Sequence, residues 1–320
     1  MKIKKTKLAP QAFLRHIVRT GLILALTGVW HAQLEHACGQ EKPTRTNVFV
    51  MNVDGSETKP FVSVDQMPRH GSPAWSPDGE RMAFDAAPDA EGGAKAHIFT
   101  ATLKEPKKSL ADLGPGHVPS WSPDGQQIAF YQHSKNPEGA KAGVWLMHAD
   151  GGDRKWLSEG QRPRWSADGS QLAFASNHDG FWSLYVIENG VRRRVLFEKY
   201  DRVVGASWSP DGKLLAYIAY RNTPDEAVKD TELGVCSASG RDEAPRIRYR
   251  GEIGWQPAWS PDGRRIAFWL LDARGAHRLV LLQYAGDEEP LEIRGQSGAG
   301  FNSDPAWSPD GKRLAFTSDR

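Results

Sequence analysis

The stretch "PAWSPDGRRIAF", Pro257 to Phe268, decides the fold. In its Ser-Pro-Asp-Gly core, proline presets φ near about −65° at the second turn position, aspartate can bond amides ahead of it, and glycine takes the left-handed conformation that closes a tight turn. A tryptophan precedes the turn. A polar pair and the apolar run Ile266 to Phe268 follow it, as expected of a strand covered on both faces. The unit therefore reads as a hairpin, and a lone hairpin is marginal in water and leaves open edges.

Five relatives of this stretch lie elsewhere in the chain: "PAWSPDGERMAF" from Pro73, "PSWSPDGQQIAF" from Pro119, "PRWSADGSQLAF" from Pro163, "ASWSPDGKLLAY" from Ala206 and "PAWSPDGKRLAF" from Pro305. The six tryptophans, at 75, 121, 165, 208, 259 and 307, are spaced by 46, 44, 43, 51 and 48 residues. That period suits one four-stranded propeller blade per copy, with each tryptophan wedged between neighbouring blades.

A second pattern supplies the outer strands. "GVWLMHADGG" from Gly143, "SLYVIENG" from Ser183 and "LGVCSASG" from Leu233 alternate apolar residues and end on turn signals, and "HIFTATL" from His97 and "HRLVLLQYAG" from His277 fill the same slot. The sixth copy precedes the first tryptophan, as "NVFVMNVDGSETKPFV" from Asn47 to Val62. The last hairpin lacks third and fourth strands, and this segment lacks first and second ones. The expected fold is all-β: a six-bladed β-propeller over residues 47–320, its ring closed by a blade shared between the two chain ends.

Residues 1–37 read as an export signal. Lys2, Lys4, Lys5, Lys7, Arg15 and Arg19 precede the apolar run "GLILALTGVW", Gly21 to Trp30, which is too short to span a bilayer. Cleavage is expected near Ala32 or Ala37, leaving 38–46 as a linker and no transmembrane span in the mature chain. "LEHAC" before Cys38 departs from a bacterial lipobox, since Glu35 lies three residues ahead of the cysteine. The first 38 residues hold six of the 41 lysines and arginines and one of the 39 acids, which leaves 35 bases and 38 acids. That balance speaks against nucleic-acid binding. With Cys38 and Cys236 alone, no disulfide framework and no zinc spacing is available.

"PAWSPDGRRIAF" and "VFVMNVDG" resemble the TolB-like branch of WD-type propeller repeats. The resemblance implies an exported, periplasmic or secreted propeller that binds protein partners. TolB proteins also carry an α/β domain ahead of the propeller, and the short run between Cys38 and the first strand implies its loss here. Prolyl oligopeptidase-like enzymes use similar repeats but add a hydrolase domain with a Gly-x-Ser-x-Gly elbow, which this sequence lacks. Oligogalacturonate lyases, also similar in their repeats, gather histidines around a metal; here His70 and His117 stand five and four residues ahead of their tryptophans, while Gln161, Arg202, Trp255 and Asp304 stand near these positions in the other blades.

No nucleophile with its base, paired catalytic carboxylates, nucleotide cradle, cofactor motif or metal set is legible. The expected function is that of a monomeric, non-catalytic scaffold binding a protein or other cell-envelope component. The alternative is a sugar-binding or polysaccharide-acting, lyase-like propeller. The partner site is expected on the end away from the Ser-Pro-Asp-Gly turns, where the loops are long and varied, with His70, His117, Arg162, Arg202, Trp255, Phe301 and Asp304 around the channel. The competing expectation is an ordinary solvated rim.

Overall fold

The computed structural model describes residues 45–88, 95–134, 139–198, 200–222, 229–240, 244–296 and 300–320. The export signal and Cys38 lie outside these residues, as does most of the 221–230 connection.

Strands β1 (Asn47–Asn52) and β2 (Lys59–Pro60) come first. The first full blade follows as β3 (Arg69–Trp75), β4 (Arg81–Ala87), β5 (His97–Thr102) and β6 (Ala111–Pro115), and the second as β7 (His117–Trp121), β8 (Gln127–Gln132), β9 (Gly143–His148) and β10 (Lys155–Ser158). The third holds β11 (Gln161–Trp165), β12 (Gln171–Ser176), β13 (Ser183–Glu188) and β14 (Val191–Arg194), and the fourth β15 (Arg202–Trp208), β16 (Leu214–Asn222), β17 (Lys229–Ser237) and β18 (Arg246–Arg250). The fifth holds β19 (Ile253–Trp259), β20 (Arg265–Leu271), β21 (His277–Gln283) and β22 (Leu291–Glu292), and β23 (Asn302–Trp307) and β24 (Arg313–Ser318) complete the ring. Each sheet is four-stranded and antiparallel, and the last runs β2-β1-β24-β23. The shared closing blade is therefore present, with six residue pairs from Asn47–Ser318 to Asn52–Arg313.

The second strand of each blade forms the core. Phe84, Phe130, Phe174, Tyr217, Phe268 and Phe316, the last residue of each motif copy, are fully buried. Before them, the turns repeat one network. In the first, the Ser76 hydroxyl donates to Asp78 Oδ1 at 2.5 Å and accepts from the Arg81 amide, while Asp78 also accepts from the Glu80 amide. The hydroxyl bond, then the amide bond, hold Asp78 below the usual carboxylate range. Gly79 takes φ +70°.

The tryptophans do pack between blades. Trp75, Trp208 and Trp307 donate their indole N–H to the carbonyls of Ala306, Arg164 and Ala258 of the preceding blade, at 3.1, 2.9 and 3.0 Å. They are not equivalent all round the ring: Trp165 is only half-buried, whereas the other five are buried.

Candidate functional site

The innermost strand of every blade carries a β-bulge midway along, a feature the motif does not announce. The register shifts between Gly71 and Ala74, His117 and Ser120, Gln161 and Arg164, Val203 and Gly205, Gly254 and Ala258, and Ser303 and Ala306. A bulge bends the strand and re-aims a side chain. At five of the six, a non-glycine residue is left-handed: Ser72, Val118, Arg162, Trp255 and Asp304. Because the strain recurs round the ring it belongs to the scaffold, and function rests on which residue each bulge presents.

In the fifth blade three residues on β19, Trp255 to Pro257, stand opposite one on β20, Phe268, where the first blade has two opposite one, and this longer bulge carries Trp255. Its carbonyl comes so close to the fourth blade that a Cβ on Gly205 would stand 2.3 Å from it, so glycine is required there.

Four of the seven residues expected around the channel converge. The Arg162 guanidinium lies 5.5 Å from the Trp255 ring and that of Arg202 5.9 Å from the same ring, so one indole serves two cations. Arg162 Nη1 also donates to Gln256 Oε1 at 3.2 Å, reaching from the third blade to the fifth. Arg202, 8% exposed, sits 5.4 Å from the Trp182 ring and keeps a buried Nε with no hydrogen-bond partner among the described residues. Asp304 completes the set electrostatically: after burial, which pushes the Arg162 guanidinium down, its charge is the strongest influence on that group and pulls it back up.

A carboxylate that the sequence reading missed belongs here. Asp85, on β4, accepts the Val118 amide of the next blade at 2.9 Å. Burial pushes its carboxyl up, the Val118 and Ser72 hydrogen bonds oppose that, and Asp304 adds to it. Arg164 is driven down to about 9, first by burial and then by Arg162. Three guanidiniums thus face two carboxylates, and the site suits a ligand that offers negative charge or a flat face.

The other three expected residues make contacts of a different kind. His70 is buried, with Nδ1 2.8 Å from the Thr46 carbonyl and Nε2 accepting the Val64 amide at 3.0 Å, which fixes the proton on Nδ1 and rivets the first blade to the N-terminal segment. Burial lowers its pKa. His117 packs on Tyr131, ring centres 4.9 Å apart, with His133 at 6.4 Å. Phe301 lies 4.6 Å from His277, which stacks flat on Trp269 at 4.0 Å.

Besides Asp85, the residues that escaped the sequence reading are Tyr131, Trp182 and Gln256. Asp85 and Tyr131 had a legible signal, since both follow the motif phenylalanine where the other blades place Ala175, Ile218, Trp269 and Thr317. Trp182 had only its place in "NHDGFW", after a turn. Among the described residues, no group of three or more His, Cys, Asp or Glu is placed to hold a metal ion.

Residues 188–320 match the TolB beta propeller domain family. The structure is similar to that of TolB from Acinetobacter baumannii, with a TM-score of 0.65 at 19% identity over 88% of this chain and 71% of that one. It is also similar to a putative TolB from Agrobacterium tumefaciens, with a TM-score of 0.63 at 19% identity over 86% and 98%. An oligogalacturonate lyase from Vibrio parahaemolyticus shares the fold at a TM-score of 0.53 and 12% identity, over 77% of this chain and 74% of that one. Comparison with curated protein sequences gives no match. At such identities the likenesses of structure speak for the fold alone.

Proposed function

We propose that this TolB-like propeller is an exported, non-catalytic scaffold that binds a protein partner of the cell envelope at the channel mouth away from the Ser-Pro-Asp-Gly turns. The observation that carries the reading is the sharing of Trp255 between Arg162 and Arg202, three residues drawn from three blades. Arginine and tryptophan are the side chains most often found to dominate protein interfaces, and a buried guanidinium nitrogen without a partner favours an incoming acceptor. Asp85 and Asp304 offset part of the charge of Arg162 and Arg164.

The export signal and the resemblance of the repeats support the location and the kind of partner. The polysaccharide-acting alternative draws on the lyase likeness of fold, and it predicts that a metal ion binds and that activity is lost on replacing His70 and His117.

Affinity capture from envelope extract tests the scaffold reading. Trp255→Ala and Arg202→Ala should each weaken capture by about 1 kcal/mol or more while circular dichroism and melting temperature stay near wild type. Substitutions in the turns, at Glu80 and Lys213, should leave capture unchanged; equal losses there would place the binding face at the other end.

A further inference from the structure

At the turn end of the propeller the Ser-Pro-Asp-Gly turns interlock, each proline lying against the glycine of the next blade. A Cβ placed on Gly125 would stand 3.4 Å from Pro77, on Gly169 3.4 Å from Pro123, on Gly263 3.6 Å from Pro210, on Gly311 3.8 Å from Pro261 and on Gly79 3.7 Å from Pro309. The third blade alone has alanine at the proline position, Ala167, and nothing lies within 4 Å of the corresponding point on Gly212. A cavity of about 390 Å³ opens at this seam, with Arg164, Trp165, Ala167, Trp208, Pro210 and Trp259 in its wall.

The polarity of that wall is one-sided. Among the described residues Trp165 and Trp259, like Trp121 two seams away, each have a buried indole N–H without a hydrogen-bond partner, and Trp259 is 7% exposed. The Trp208 N–H is already given to the Arg164 carbonyl. Arg164, whose charge also couples to Asp304 and Asp85 in the channel, stands in the wall and donates to the Pro163 carbonyl at 2.7 Å. The hydroxyls of Ser209 and Ser260, also at the seam, are committed to Asp211 and Asp262 at 2.6 Å. The cavity therefore combines flat aromatic faces with donors in want of acceptors. Among peptide units, that of proline brings a compact apolar ring and a carbonyl but no N–H, and extended proline-rich segments dock into aromatic-lined grooves at little cost in conformational entropy.

We propose that the Ala167 seam is a docking site for an extended, proline-bearing segment of a partner protein. The incoming ring takes the place that Pro77, Pro123, Pro210, Pro261 and Pro309 occupy at the other seams, and its flanking carbonyls accept from Trp165 and Trp259. The site opens at the turn end, past the mid-strand bulge that carries Trp255, and stands or falls separately from the proposed function.

The test is titration of the full chain with a synthetic ten-residue polyproline peptide and with a Gly-Ser peptide of equal length, followed by calorimetry. Saturable binding of the proline peptide alone is expected. Ala167→Pro should fill the seam and weaken that binding at least tenfold, with the melting temperature unchanged or raised, because proline suits this turn position in five other blades. Trp165→Phe keeps the ring but removes its N–H, and should weaken binding several-fold; it carries the test if Ala167→Pro folds poorly. Trp255→Ala should bind the peptide as wild type does. No saturation by the proline peptide, equal binding of the Gly-Ser peptide, or undiminished binding by both Ala167→Pro and Trp165→Phe would overturn the proposal.

Discussion

His277 shows what burial does to a single titratable group. It lies between Trp269 and Phe301, 5% exposed, and its Nδ1 is buried without a hydrogen-bond partner among the described residues. Desolvation lowers its pKa to about 4 from an ordinary 6.5. As pH falls from 6.5 the unfolded chain takes up this proton first, and the folded chain does so only near 4. Stability is therefore lost across that window as the solution is acidified, by roughly 3 kcal/mol for a shift of this size. Replacing His277 with Phe keeps the stacked ring and removes the titration, so chemical denaturation at pH 7 and pH 4 should show a correspondingly smaller acid loss. A slope remains, because burial also lowers the pKa of His70. An unchanged acid loss in the variant would show that the ring is not desolvated as the packing implies.

Neighbouring blades are locked at the level of the hairpin. The arginine six residues after the motif tryptophan reaches over the tryptophan of the next blade: Arg81 lies 4.5 Å from the Trp121 ring, Arg265 4.8 Å from Trp307 and Arg313 4.8 Å from Trp75. Gln127, Gln171 and Leu214 stand at the same position in the other three blades, and Trp165, which follows Gln127, is the half-buried one. Arg313→Gln removes the cation from the seam that closes the ring. It should cost about 0.5–1 kcal/mol, seen in thermal melts as a fall of roughly 1–4 °C for a domain of this size. Gln127→Arg should have the opposite effect on the exposure of Trp165, readable as a blue shift of the tryptophan emission. The inner-strand bulge also belongs to this scale, and its extra residue in the fifth blade is why Trp255 reaches two arginines.

The whole molecule depends on closure. β1 pairs along its full length with β24, Phe49 stacks on Phe316 at 5.9 Å, and Thr46 accepts His70 on the far side of the seam. Removing Asn47 to Val62 exposes the edge of β24 and cuts out the strand that holds Thr46 in place beside His70. The truncated chain should melt at a lower temperature and associate on sizing columns as its open edge recruits another. A monomeric truncation of unchanged melting temperature would show that the closing blade contributes nothing to stability.

The blade, its period and the shared closing blade were readable from residue order, because they rest on local rules: proline and glycine at set turn positions, alternation along strands, an apolar run in the second strand. Even Ala167 stood in plain view as the one departure from Ser-Pro-Asp-Gly. The channel was legible only in outline. Arg202, Trp255 and Asp304 could be assigned to the inner strands by counting back from the tryptophans, but counting could not show that an enlarged bulge turns Trp255 between Arg162 and Arg202. Nor could it show that Asp85, on a different strand, joins the cluster, or that His70 is consumed in riveting the ring. These outcomes depend on groups 33 and 94 residues apart meeting in the channel, where burial and mutual charge set the energies, and no periodicity in the chain encodes which of them touch.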